Sequence, residues 1–284
     1  MMASTVCEML KTQMGLPVRA IPLSMCRITR LYLLDRAHIP TSGTAILFPI
    51  PYVVSSDVDD ARRNVSLYAV PEDYHVYVRE LGDTLLPLLN THFPDYRFAL
   101  FSDHSPIAEV DAAARSGLGL LGNNHLLITP TWGSYVFIAE ILTDMPYDVV
   151  TNIPLCDIPP MPPRCKGCGV CTNACPAQHA PDESCLSALT QKKGGLSEDE
   201  QAALKHHPLV WGCDLCQTVC PYNRRVEDTP IPFFRERRLS RLNLSAIEAM
   251  SDAEFSRRAY AWRGRSVIER NLHIKKDHTK GEAP

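Results

Sequence analysis

Residues 165–176 read C-K-G-C-G-V-C-T-N-A-C-P, a C-x2-C-x2-C-x3-C-P run. Cysteine at that density fits neither an ordinary apolar core nor an ordinary turn. A second run, C-D-L-C-Q-T-V-C-P, occupies 213–221, and Cys185 is the only cysteine between the two. Short spacings let a loop wrap several thiolates around one compact inorganic group. The pattern is that of bacterial ferredoxins, in which three thiolates of a run hold one [4Fe–4S] cluster and the fourth reaches the other. By that crossover rule Cys165, Cys168, Cys171 and Cys220 bind one cluster. Cys175, Cys185, Cys213 and Cys216 bind the second. Gly167 and Gly169 let the backbone approach the inorganic sulfides, and each closing proline turns the chain away. The alternative is a four-thiolate zinc site built from two C-x2-C pairs. It leaves four clustered cysteines and both Cys-Pro endings without a purpose.

The chain has eleven cysteines in 284 residues. Only Cys7 and Cys26 lie in the first half, and the other nine fall between Cys156 and Cys220. Such clustering points to metal rather than to a disulfide scaffold, which belongs mostly to small secreted domains. Cys7, Cys26 and Cys156 are left over, and the expectation for them is plain buried thiols. With 45% apolar and 21% charged residues the composition is that of a globular protein. No apolar run approaches the roughly 18 residues that span a bilayer, and the N-terminus has no signal-peptide pattern, so no membrane contact and a cytoplasmic location are expected. The net charge of −3 is uneven. From Arg224 onward 14 Lys and Arg face 9 Asp and Glu, a balance of +5, against −8 before it. A basic end of this kind suits either a polyanion such as RNA or a solvated helical face.

The first 160 residues read as α/β or α+β. Thr44 to Val54 is an apolar, β-rich run ended by Ser-Ser-Asp. Val78, Leu81, Leu85 and Leu88 fall at helical spacing between about Tyr74 and Leu89. Tyr96 to Phe101 is a second strand. Ser105-Pro106 opens a helix through about Ser116, with Glu109 answering the serine cap. Gly117, Gly119 and Gly122 punctuate a loop, and the runs flanking Pro130–Gly133 predict a hairpin. From Pro154 the texture turns Pro- and Cys-rich. The expected organisation is an α/β domain over 1–155, a ferredoxin-like double-cluster domain over 156–225, and a basic C-terminal helical segment over 226–284. The last ten residues are expected to fray.

The motifs around the cysteines resemble one family. They are Y-A-V-P-E-D-Y-H (68–75), F-S-D-H-S-P (101–106), G-L-G-L-L-G-N-N (117–124), G-S-Y-V-F-I-A-E-I-L-T-D (133–144) and W-G-C-D-L-C-Q-T-V-C-P-Y-N (211–223), followed by F-S-R-R and E-R-N near the C-terminus. Over roughly residues 65–272 the chain resembles the epoxyqueuosine reductases, cobalamin-dependent iron–sulfur enzymes related to the reductive dehalogenases.

The resemblance implies a reduction of the epoxide in the last step of queuosine formation on tRNA. Electrons pass through the two clusters to a base-off cobalamin in the α/β domain, whose Co(I) form attacks or reduces the substrate. The proton donor is the aspartate of the family's D-S-A-P motif, which falls on Asp103. Opening an epoxide leaves an alkoxide that must be protonated, and partial burial is expected to help Asp103 keep its proton. A helix N-cap is the competing role for this residue. Tyr74, His75, Ser105, Asn124 and Ser134 lie in matching motifs and are expected against the cofactor, His75 lining the pocket rather than ligating cobalt. Trp132 reads as a core or turn aromatic. Two positions depart from the family pattern: Glu72 stands where it has arginine, and Asn123 where it has lysine. Both changes remove cations that could meet tRNA phosphates. Nor does the chain show the C-terminal helical-repeat extension of some members, and its N-terminal part is short.

The expected partners are tRNA and an electron donor such as a ferredoxin, flavodoxin or reductase. The alternative functions are an electron-transfer protein serving a partner reductase, a corrinoid reductase with another small substrate, and a structural metal protein that binds RNA.

Overall fold

A computed structural model describes residues 5–177 and 185–279. Residues 280–284, half of the tail expected to fray, lie outside the described residues, and the final helix continues to Thr279. Chain contacts divide the protein into two compact units, one of residues 1–51 with 77–168 and the other of 52–76 with 169–284. Among the described residues no helix is long and apolar enough to cross a membrane.

The first unit begins with helix α1 (Val6–Met14), closed at its start by a Thr5–Glu8 capping box and at its end by a left-handed Gly15. Strand β1 (Arg19–Pro22) and helix α2 (Leu31–Ala37) follow. Strand β2 (Thr44–Pro51) is buried at all eight positions, as its unbroken apolar run requires of a central strand. Helix α3 (Ser55–Val58) and the start of helix α4 (Tyr74–His92) fall in the other unit. Along α4, Val78, Leu85 and Leu89 are buried, and Gly82 lets the helix approach Leu100 on strand β3 (Phe98–Phe101). Helix α5 (Glu109–Arg115), the short strands β4 (Leu120–Leu121) and β5 (Leu127–Ile128), strand β6 (Val136–Thr143) and helix α6 (Tyr147–Val150) complete this unit.

The main sheet has the order β1-β2-β6-β3 with every pair antiparallel, so the mixed fold is of the α+β kind. One apolar core combines Leu47, Ile138 and Leu142 of the sheet with Ala112 and Ala113 of α5 and with Ile107. The turn expected at Pro130–Gly133 forms, tied by Thr129 and Gly133, but the expected hairpin does not. β5 pairs with β4 in a separate ribbon, and β6 pairs with β2 and β3. The long apolar β6 satisfies its edges better between two strands than against a two-residue one.

The second unit is helical: α7 (Val170–Ala174), α8 (Leu186–Thr190), α9 (Glu198–His206), α10 (Leu215–Thr218), α11 (Leu244–Ala249), α12 (Asp252–Ser256) and α13 (Arg265–Thr279). Its core gathers Val65, Ala69 and Val70 around Trp211, Phe255, Tyr260 and Ile268. The Asn271 amide donates to the carbonyls of Thr190 (2.7 Å) and Val210 (2.8 Å), joining α13 to the segments ahead of the second cysteine run. Much of the C-terminal positive charge is used internally. Arg257 and Arg237 bond Glu72, Arg265 bonds the carbonyls of Ile247 and Met250, and Arg270 bonds those of Lys192 and Gly194.

Candidate functional site

Cys165 and Cys168 belong to the first unit, and Cys171, Cys175, Cys185, Cys213, Cys216 and Cys220 to the second. In the first unit the chain ahead of Cys165 lies along β4. Leu121 donates to the Pro163 carbonyl (2.7 Å), Cys165 donates to the Leu121 carbonyl (3.1 Å), and the Asn123 N–H donates to the Cys165 sulfur (3.3 Å). In the second unit Cys171 lies on α7 and Cys216 on α10, two helices packed on one another. Cys175 ends α7, Cys185 caps the start of α8, and Cys220 is buried just after α10. Gly169 opens α7 with φ of 78°, a left-handed conformation that other residues rarely adopt.

Burial pushes the Cys213 thiol up to about 12, with a backbone N–H from Leu215 opposing and the charges of Asp214, Cys216 and Cys185 adding to it. The charges of Cys185 and Cys216 are thus both felt at Cys213. The loop holding these thiols is pinned from below. Asp214 accepts from Arg63 (2.6 Å), from the Leu67 N–H (3.0 Å) and from the Ser66 hydroxyl. Gly212 has φ of 73°, and a Cβ there would stand 2.4 Å from that of Ser66. Among the described residues no three His, Cys, Asp or Glu side chains converge tightly enough to hold a single ion. A cubane asks for something else, one thiolate on each of four irons, and an all-sulfur donor set on short helices and turns fits it. The leftover thiols differ from expectation at Cys156, which is exposed, and at Cys26, which is half-buried. Cys7 is buried, and burial raises both Cys7 and Cys26 to about 12.

The loop from β3 to α5 carries Asp103. The helix starts at Glu109, three residues later than Ser105-Pro106 suggests, and its N-cap is Ala108 with no side-chain bond. The Ser105 hydroxyl oxygen accepts the Ile107 N–H (3.0 Å), and Glu109 turns back to accept the Asp103 N–H (3.2 Å). Asp103 is thus not a helix cap. It is exposed, contrary to the partial burial expected, and holds φ of 64°, which is uncommon outside glycine. The loop is anchored by the Ser102 hydroxyl on the Ile138 carbonyl (2.7 Å) and by Arg30 on the Ser105 carbonyl (2.9 Å). His104 meets the Tyr32 hydroxyl at 2.9 Å. Burial and then the charge of Asp103 push Glu109 up to about 7, against the Asp103 N–H and Arg30.

Ser105, Asn124 and Ser134 are buried in the same unit as Asp103. The Asn124 carbonyl oxygen accepts from Leu126 (3.4 Å), while its buried amide nitrogen has no partner among the described residues. Such an orphaned donor suits a ligand rich in amide groups, as a corrin is. Trp132 is a core aromatic, 7% exposed. Tyr74 and His75 belong to the second unit. His75 is exposed, stacks on Tyr74 at 4.0 Å and bonds Asp73 through Nδ1 at 2.8 Å. Glu72 is a structural anchor: burial would raise its carboxyl, but Arg257 and Arg237 outweigh that and hold it below the usual range. A surface cavity of about 480 Å³ runs along Tyr147–Leu155 and contains none of the expected site residues. Glu140, fully buried on β6, is an acid that the sequence motifs did not single out.

Residues 164–223 match the description of a 4Fe-4S double cluster binding domain. An epoxyqueuosine reductase of Listeria monocytogenes is 36% identical over 214 residues, 71% of this chain and 54% of that protein. The chain belongs to the epoxyqueuosine reductase family. It spans about half the length of the curated relatives it matches. The solved epoxyqueuosine reductase of Streptococcus thermophilus shares its fold, with a TM-score of 0.73 at 19% identity over 96% of this chain and 80% of that one. A structure of an epoxyqueuosine reductase with a modified tRNA-Tyr stem loop matches at 25% identity and a TM-score of 0.69, over 93% and 78% of the two chains.

Proposed function

We propose that this member of the epoxyqueuosine reductase family is an iron–sulfur, cobalamin-dependent enzyme that removes the epoxide oxygen of epoxyqueuosine in tRNA. The observation that carries this reading is the joining, in one chain, of a double-cluster region over 164–223 to a unit that presents an exposed, loop-held acid. A simple electron carrier has no need of the second part. The relative solved with an epoxyqueuosine-modified stem loop supports the choice of substrate.

The overall change takes up two electrons and two protons, breaks both carbon–oxygen bonds of the epoxide and releases the oxygen as water. When bound, the clusters supply single electrons and cobalamin a strongly reducing metal centre. The seven cysteines of the two runs, together with Cys185, would hold the clusters, and the buried Asn124 amide and Ser134 would meet the corrin. Ser105 would shape the surroundings within that unit, and Tyr74 and His75 remain cofactor candidates on the family resemblance. Asp103 gives its proton to the oxygen that becomes an alkoxide as the ring opens. The electron donor is a small reducing carrier such as a ferredoxin, a flavodoxin or their reductase, acting in the cytoplasm where tRNA is.

Anaerobic purification with iron analysis and a cobalamin titration tests this reading. The full chain is expected to hold about eight irons and to bind one cobalamin. Cys185→Ala should cut the iron to about half. A chain that takes up iron and never binds cobalamin is the electron-transfer alternative, and a Cys185→Ala protein with undiminished iron removes Cys185 from the ligand set.

A further inference from the structure

We propose that Glu140 and Glu109 form an acid pair that shares one proton at neutral pH and, through Glu109, holds Asp103 in its working pose. Its link to catalysis rests on the role given to Asp103 above, while the pair itself does not.

Glu140 sits in the middle of β6, in register with Leu47 on one side and Phe101 on the other. It shares a sheet face with Ile138 and Leu142, which belong to the core completed by Ala112 and Ala113 of α5. It is 0% exposed, and neither carboxyl oxygen has a hydrogen-bond partner among the described residues. An ionised carboxylate is not kept in such a place, whereas a protonated one is. The groups that act on it come from three elements: Glu109 from α5, the Ser105 hydroxyl from the loop after β3, and Cys26 from the segment after β1. Asp103 and Arg30 act in turn on Glu109, and Arg115 and Asp111 on Cys26. Burial and then the charge of Glu109 push Glu140 well above the usual carboxyl range, with the Ser105 hydroxyl opposing.

A fully buried acid and a half-buried one that acts on it cannot both ionise cheaply, so they titrate as a unit. Glu109, raised to about 7, ionises first; once it has, one proton is left on Glu140, and Glu109 is a carboxylate that accepts the Asp103 N–H at 3.2 Å. Loss of that proton sets two charges against each other inside the core, and only Glu109, at the start of a helix, can swing away. The bond to Asp103 goes with it, and a non-glycine residue at φ of 64° loses the contact that keeps it there. Glu140 is therefore a positioning residue that acts through Glu109.

Infrared spectroscopy of the full chain reads the shared proton directly and needs neither cobalamin nor substrate. At pH 7 the C=O stretch of a buried, protonated carboxylic acid is expected, and Glu140→Gln should remove it. No such band in the wild-type chain, or its persistence in Glu140→Gln, overturns the proposal. Should Glu140→Gln not accumulate as folded protein, Glu109→Gln gives the same information. Its band should be lost at a pH at least one unit lower, because the charge that holds the proton on Glu140 has gone, and an unmoved midpoint overturns the pair. In turnover, the wild type should lose activity on the alkaline side as the pair empties, a loss that Glu140→Gln abolishes. Superposable profiles overturn the coupling to Asp103. An intact band in a chain that never turns over supports the pair and overturns the reductase reading.

Discussion

Asp214 and Glu140 are both buried carboxyls next to chemistry, and the protein treats them in opposite ways. Asp214, between two cysteines of the second run, accepts from Arg63, Ser66 and Leu67, so its charge is matched and its loop is fixed. Glu140, at the heart of the other unit's sheet, lies in register with Leu47 and Phe101, and apart from the pull of the Ser105 hydroxyl its carboxyl oxygens find no partner among the described residues. A saturated acid is a structural fastener. An acid left unsatisfied within the core keeps its proton.

Substitution should separate the two. Asp214→Ala strands the Arg63 guanidinium, whose side chain is 9% exposed. Leaving one half of a buried pair costs about 3–5 kcal/mol, so denaturant unfolding should show a loss of that size, together with lost iron. The double change Arg63→Met with Asp214→Leu should restore much of the stability without restoring the cluster loop. Asp103→Asn should reduce turnover by roughly 10²–10⁴-fold and leave iron content and unfolding unchanged. A fall in stability would return Asp103 to a structural role.

The pH dependence of stability draws the same line more finely. Glu109 and Glu140 bind their protons more tightly in the folded chain than in the unfolded one. The stability they add is complete below the ordinary value of 4.5 and is lost as pH climbs through about 7 and beyond. The wild type should lose roughly 1–3 kcal/mol over that climb, and Glu140→Leu, which removes the unsatisfied acid without opening a cavity, should flatten the curve. A wild-type curve already flat from pH 5 to 8 would deny the pair its raised affinity for protons. Tyr32→Phe gives the smallest effect, under about 0.5 kcal/mol, because its bond to His104 lies on the surface.

The cluster region was legible because its cysteines are local in sequence: the spacing alone points to the double-cluster domain that residues 164–223 match. The strand at 44–51 and the helix from Tyr74 were legible from apolar run and periodicity. The sheet order was not, since β2 and β6 lie about 90 residues apart and nothing local says that they pair. The same non-local pairing cancelled the hairpin at 130–133, although the turn itself formed. The start of α5 moved because Ser105 and Glu109 found other bonds than each other. The Thr5–Glu8 capping box was open to view as T-x-x-E and marks a helix that composition had left blank. Glu140 was hidden by its surroundings. A single Glu in an apolar strand suggests the solvent face, and only its parity with Ile138 and Leu142 sets it on the core side. That residues 52–76 pack with Trp211 and the C-terminal helices was invisible, because Val65, Ala69 and Val70 carry no periodic signal.

A single-turnover experiment addresses the central claim most directly. The full chain, loaded with iron and cobalamin and chemically reduced, is mixed with a tRNA stem loop carrying epoxyqueuosine, and the nucleoside is weighed by mass spectrometry. The wild type should convert it to a product lighter by one oxygen, and Asp103→Asn with the same iron and cobalamin should not. A fully loaded, reduced chain that leaves the epoxide intact, or an Asp103→Asn protein as fast as the wild type, would contradict the account.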